Sequence, residues 1–274
     1  MSFARSRDGT RIFYHLTGAE HPRENGLLLC HPSFSSHRLW QLQERAFSAG
    51  RRFVSWDYRG HGRSEAPLDP ERYRLQALLE DLSAVHEAAL GDAPADVGGL
   101  SFGGTLAMEY ALARPERVRR LLLFNTGPGF RKPEALAQWQ EMLERSAQKL
   151  ERVGLAEYLE GGRARAELLG LDPSTPASVA LREALLSSDP TALALFARRV
   201  AGPVPNLVDR LAQIHQPALV LVGEKDEAFQ AASRVLEAKL PNATRIEIPV
   251  AGHVLNVDQP SAFERAVNAF LDPS

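Results

Sequence analysis

The chain has a single cysteine, Cys30, among its 274 residues. One thiol allows no internal disulfide and no cysteine-based metal cluster. Charge of one sign is also missing: 32 basic and 34 acidic side chains leave a net charge of -2. A balance so close to neutral gives no electrostatic footing for nucleic acid or an anionic membrane surface. No apolar run approaches the ~20 residues needed to span a bilayer. The N-terminal stretch "MSFARSRDGTRIFYH" lacks the apolar core of a signal peptide. Low-complexity tracts and internal repeats are absent too. The expectation is a soluble, cytoplasmic protein without metal or organic cofactor, acting on a small molecule; its oligomeric state is not encoded in any pattern visible here.

What is present is an alternation of short apolar runs and helical patterns. "SFARSRDGTRIFYHL" reads as a hairpin turning at Asp8-Gly9. "GLLLCHP" (26–32), "RFVSWD" (52–57), "ADVGGL" (95–100), "VRRLLLFN" (118–125), "ALVLVG" (218–223) and "ATRIEIPV" (243–250) read as strands. Several are apolar throughout, as in strands buried on both faces. Helical spacing follows over 74–90, after Ser101, and over "SAFERAVNAFL" at the C-terminus. Such alternation predicts an α/β fold with a mostly parallel twisted sheet and helices on both faces. One stretch breaks it. Residues 127–211 offer no strand, only helical patterns interrupted by Gly161-Gly162, Pro173 and Pro190. The expected organisation is a core of 1–126 and 212–274 with a helical insertion at 127–211.

The stretch "VGGLSFGG" (97–104) places Ser101 between glycines where a strand meets a helix. The pattern G-x-S-x-G is that of a nucleophile elbow, with Gly99 and Gly103 small because larger side chains would collide in a sharp turn. Alone it is modest evidence, since chance supplies it in about one chain in ten of this length at ordinary glycine usage. A serine hydroxyl attacks only if a base takes its proton. Of eight histidines, His253 in "IEIPVAGHVLNVDQP" follows the last strand. In an open parallel sheet the carboxyl ends of the strands share one rim, so His253 and Ser101 can meet there. A carboxylate must then orient the imidazole. "GEKDEAF" supplies Asp226 three residues past Gly223, with Glu224 and Glu227 as alternatives. The order Ser101, Asp226, His253, each after a strand, favours Asp226.

At this point the chain resembles the α/β-hydrolase fold superfamily over nearly its whole length. "HPSFSSHRLW" (31–40) resembles the family's oxyanion loop, and "DYRGHGRSE" (57–65) its D-x-R-G-x-G-x-S turn. "GLSFGG" resembles its elbow, and "GEKD" with "GHVLN" its acid and histidine loops. The helical insertion falls where the family carries its cap. The oxyanion loop departs from the usual His-Gly: here it is His31-Pro32, and proline has no N–H. The resemblance therefore implies the Ser33 and Phe102 amides as the oxyanion hole. Serine at 101 argues against the aspartate-nucleophile branches, and the resemblance makes Asp57 and Arg59 structural. Cys30 reads as a small core residue. The implied chemistry is hydrolysis of a small carboxylic ester or lactone. "GEKDEAF" and "GHVLN" also resemble two metabolic branches, the enol-lactone hydrolases and the menaquinone-pathway synthase. A C–O or C–C lyase, or a C–C hydrolase, with the same triad is thus an alternative. A non-catalytic ligand-binding member is another. Phe34, Phe130, Arg131, Trp139 and Phe196 are candidate substrate contacts. Aromatics in helices are more often core, and basic pairs such as Arg131-Lys132 are more often solvated.

Overall fold

A computed structural model describes residues 2–272; Met1, Pro273 and Ser274, the ends of the expected core, lie outside the described residues. Eight strands form one sheet: β1 Ser2–Arg5, β2 Arg11–Thr17, β3 Gly26–Cys30, β4 Arg52–Trp56, β5 Ala95–Leu100, β6 Val118–Phe124, β7 Ala218–Gly223 and β8 Ala243–Ile248. Their spatial order is β1-β2-β4-β3-β5-β6-β7-β8. The β1–β2 and β2–β4 pairs are antiparallel, and the remaining pairs are parallel. β3, β5 and β7 are buried at every position. A sheet achieves this only when helices cover both faces.

The core helices are α1 Glu44–Ser48, α2 Leu75–Leu90 and α3 Phe102–Ala113 before the insertion. Those of the insertion are α4 Pro133–Glu160, α5 Gly162–Leu169, α6 Pro176–Leu186 and α7 Pro190–Phe196. The core then resumes with α8 Glu227–Lys239, α9 Leu255–Asp258 and α10 Pro260–Leu271. Proline opens α4, α6, α7 and α10, where its missing N–H costs nothing and its fixed φ suits the first turn. An aromatic cluster seals α10 to the sheet: Phe263 lies 4.8 Å from Phe124 and 6.2 Å from Trp40, ring centre to ring centre.

Between β6 and β7 the described residues form helices and turns and no strand, as the pattern over 127–211 predicts. Two details differ from the expected helices. The span opening at Pro133 is two helices joined at a kink, because Gly154 takes φ 71° and ψ 174°, outside helical values. The pattern "PTALALFARRV" is α-helical to Phe196 and then widens into a π-turn over Ala197–Ala201. Arg198 in that turn bridges Glu144 at 2.8 Å and Glu151 at 2.6 Å, both on α4. The insertion meets the core at several places, including Gly62 N–H on Ser188 Oγ at 3.2 Å and an ion pair between Arg199 and Glu71.

Candidate active site

The β5–α3 turn is built around close backbone approach. A Cβ on Gly99 would sit 2.5 Å from the Gly103 carbonyl carbon and 2.6 Å from the Cys30 oxygen. One on Gly103 would sit 2.4 Å from that same oxygen. Only glycine fits at either position. Between them Ser101 takes φ 56° and ψ −122°, a conformation non-glycine residues adopt rarely and at a cost. Its N–H donates to the Phe124 carbonyl at 2.9 Å, and its carbonyl accepts from Thr126 Oγ1 at 2.6 Å. The turn is thus pinned to the end of β6.

The acid and histidine loops are zipped together at the ends of β7 and β8. Glu224 N–H donates to the Ile248 carbonyl at 3.0 Å and Lys225 N–H to that of Ala251 at 2.9 Å. Gly223 is required here: a Cβ would lie 2.5 Å from the oxygens of Ala251 and Gly252. The zipper brings His253 Nδ1 to 2.7 Å from Asp226 Oδ2. Because a carboxylate only accepts, Nδ1 carries a proton, so in the neutral imidazole the lone pair is on Nε2. Asp226 is 8% exposed, and Phe229 stacks on the imidazole at 5.2 Å. Of the alternatives to Asp226, Glu224 instead accepts the Val250 N–H at 2.7 Å, and Glu227 lies exposed at the start of α8.

Sequence reasoning missed Asn125. Its Nδ2 donates to the carbonyls of Gly252 and His253, each at 2.8 Å, and its Oδ1 accepts the Gly223 N–H at 2.8 Å. One buried side chain therefore fixes both the acid loop and the histidine loop to the end of β6, the strand that also pins Ser101. A signal was available: an asparagine ends an apolar strand and precedes Thr126-Gly127. Asparagine tolerates the left-handed backbone found there, φ 39°.

The loop after β3 offers three residues beside the elbow. Pro32 has no N–H. Phe34, at φ 60°, gives its N–H to His61 Nε2 at 3.3 Å. Ser33 is left as the residue whose amide takes no hydrogen bond among the described residues. Phe102 opens α3, so its N–H has no partner within the helix. His31 and His61 hold the loop from beneath, in one tautomer each. His31 Nδ1–H donates to the Pro32 carbonyl at 2.7 Å while Nε2 accepts the Tyr58 N–H at 3.2 Å. His61 Nδ1–H donates to the Arg59 carbonyl at 3.1 Å. Burial depresses both basicities, to about 3 for His31 and about 4 for His61.

Asp57 and Arg59 serve the same scaffold. Asp57 accepts the N–H and Nδ1–H of His37 and the N–H of Arg63, and Arg59 is buried against Asp81 at 2.6 Å and Asp8 at 2.8 Å. Cys30 is buried, its thiol pushed up to about 12 by desolvation, and accepts a contact from Trp56 Nε1 at 3.3 Å. Phe34 packs edge-on against Tyr158, and Phe196 packs against Tyr58, His61 and Phe102. Phe130 lies against Trp139, whose Nε1–H is held by the Ala201 carbonyl at 2.8 Å. Arg131 pairs with Asp209 at the surface.

Among the described residues no His, Cys, Asp and Glu group is arranged to hold a metal ion. Among the described residues, no helix is long and apolar enough to cross a membrane.

The comparisons agree with this architecture. A Bacillus subtilis protein provisionally named 2-succinyl-6-hydroxy-2,4-cyclohexadiene-1-carboxylate synthase is 31% identical over 272 residues, covering 96% of each chain. The crystal structure of a hydrolase from Pseudomonas aeruginosa superposes with a TM-score of 0.81 at 30% identity, over 99% of this chain and 98% of that one. That of the enol-lactonase from Burkholderia xenovorans superposes at 0.82 with 26% identity, over 98% and 99%. The model of the alpha/beta hydrolase fold family matches residues 25–260, and the chain belongs to that family.

Proposed function

We propose that this chain hydrolyses a small carboxylic ester or lactone through an acyl-enzyme on Ser101. The observation that carries the reading is the 2.7 Å contact between His253 Nδ1 and Asp226, which leaves His253 Nε2 as a base. Ser101 Oγ attacks the carbonyl carbon and its proton passes to Nε2, while Asp226 stabilises the imidazolium. The carbonyl oxygen becomes an oxyanion facing the N–H groups of Ser33 and Phe102, at the amino end of α3. Collapse expels the alcohol, which takes the proton from His253; in a lactone it stays tethered to the acyl group. Water then attacks the acyl-enzyme with His253 again as base, and the acid leaves. No step calls on a metal or organic cofactor.

Phe34 adjoins Ser33 and Phe196 packs on Phe102, so these two supply the apolar wall beside the oxyanion donors. The helices over 127–211 act as the cap. Arg131, committed to Asp209, is not assigned to substrate. The test is turnover of p-nitrophenyl acetate and butyrate by wild type and Ser101→Ala. The reading expects a loss on the order of 10⁶ in kcat in the variant. Equal rates in both would contradict it.

A second reading is favoured by the 31% identity to the Bacillus subtilis protein, whose name denotes a synthase. Here His253 would take a proton from carbon and the leaving group would depart by elimination. Such an enzyme releases an alkene without incorporating solvent oxygen, whereas the hydrolase places one solvent oxygen in its acid product.

A further inference from the structure

Two backbone amides from distant parts of the chain converge on one side chain at the end of α9. Asp258 Oδ1 accepts the N–H of Leu171 at 2.7 Å, and Asp258 Oδ2 accepts the N–H of Gly252 at 2.8 Å. Leu171 lies in the turn between α5 and α6 of the insertion. Gly252 immediately precedes His253. The two turns are in direct contact. A Cβ on Gly170 would come within 2.7 Å of Asp258 Oδ1. One on Gly252 would meet Leu171 Cδ2 at 3.0 Å and Asp258 Oδ2 at 3.2 Å. Burial raises the basicity of Asp258, and the two amides, Lys225 and His253 oppose that rise. Burial prevails on balance, and the carboxyl group is held by hydrogen bonds drawn from both sides of the insertion–core boundary.

We propose that Asp258 is a positioning residue that couples the seating of the insertion to the placement of His253; this rests on reading His253 as the base. Asn125 grips the Gly252 and His253 carbonyls from the β6 side. The Gly252 N–H is a further grip, beside the Lys225–Ala251 bond and the His253–Asp226 contact, and its acceptor is shared with the insertion. When the 170–172 turn lifts to admit substrate, Asp258 loses one partner and becomes free to leave the other. Closure restores both bonds and returns the imidazole to its working position. The base is thereby fully placed only beneath a seated insertion, a gating role of the kind lids perform.

Asp258→Asn tests this, because a carboxamide keeps the volume but turns an N–H₂ group toward one of the two amides. The readouts are kcat and KM on p-nitrophenyl butyrate and amide exchange resolved by peptide. Exchange over 168–174 and over 250–256 should accelerate together, on the order of tenfold, with β3 and β5 unchanged. Displacement of the base should lower kcat on the order of tenfold with little change in KM. Acceleration in only one of the two segments overturns the coupling. So does acceleration that spreads to β3 and β5, which marks general loosening, or an unchanged kcat alongside wild-type turnover. Ser101→Ala is run in parallel. If wild type shows no ester turnover, the acyl-enzyme reading fails, and joint or separate exchange of the two segments still decides the coupling.

Discussion

The backbone N–H of Phe34 is held by His61 Nε2 at 3.3 Å, which removes it from the loop facing Ser101. With Pro32 lacking an N–H, the bond leaves Ser33 as the amide available on that side. The turn over 57–65 thus does more than close a corner, because its histidine sets which amide the loop can offer.

Replacing His61 by alanine frees the Phe34 N–H and leaves it buried without an acceptor. The loop then relaxes to find one, and the Ser33 amide moves with it. Ester turnover should fall in kcat on the order of tenfold, less than the 10²–10³ of a lost oxyanion donor, with KM changed little. Steady-state kinetics of His61→Ala checks this, and an unaltered kcat would separate His61 from the oxyanion loop.

Stability should decline as pH falls from about 6.5 to about 4. His31 and His61 are held near 3 and 4 by burial, against about 6.5 in the unfolded chain. Below pH 6.5 the unfolded state therefore binds protons that the folded state refuses, and unfolding is favoured. Each histidine contributes up to about 1.4 kcal/mol per pH unit across this window. Burial raises Asp57, yet hydrogen bonds from His37 hold it below the ordinary carboxylate range, so its contribution is lost only beneath about pH 4. Urea midpoints at pH 7, 6 and 5 measure the slope, and His61→Ala should make it shallower. A midpoint that is flat across these values would contradict the neutral, clamped histidines.

Asn125→Ala should both destabilise the protein and slow it. Three hydrogen bonds near 2.8 Å disappear, and each buried group left unpaired costs about 1–3 kcal/mol. The acid and histidine loops lose their tie to β6, so kcat falls along with the melting temperature. Asn125→Asp keeps the acceptor for Gly223 but points oxygen at one or both carbonyls. It should be no better than alanine in kcat, and an active Asp variant would refute the tie.

Where sequence and structure agree, the cause is local. Gly99, Ser101 and Gly103 are spaced by a steric requirement of the turn itself, so the pattern was visible without knowledge of its neighbours. Asp226 and His253 follow strands of one parallel sheet, and the sheet's polarity alone sends both to the rim that holds Ser101. The strand over 218–223 was legible to the residue because apolar side chains fill it from end to end. Asn125 and Asp258 were not legible in the same way. Each acts through backbone N–H and C=O groups of other segments, and backbone partners leave no trace in residue identity.

Gly99→Ala and Gly103→Ala should both be strongly damaging, because the atoms a new Cβ would meet are backbone and have nowhere to move. Overpacking of this kind costs about 1–3 kcal/mol or more. Gly50→Ala is the control, since a Cβ there meets nothing within 4 Å. Thermal melts should show a large loss for the first two and almost none for the third. Equal melting temperatures would remove the steric account of the elbow.

The central claim is that Ser101 becomes acylated. His253→Ala should slow attack but slow deacylation as well, because the base that activates water is gone. Intact-mass spectrometry after prolonged exposure to p-nitrophenyl butyrate, followed by peptide mapping, tests the claim directly. The account predicts one butyryl group per chain on the peptide containing Ser101, and none in the Ser101→Ala, His253→Ala double variant. An adduct on another residue, or an unmodified protein whose wild type hydrolyses the ester, would contradict it.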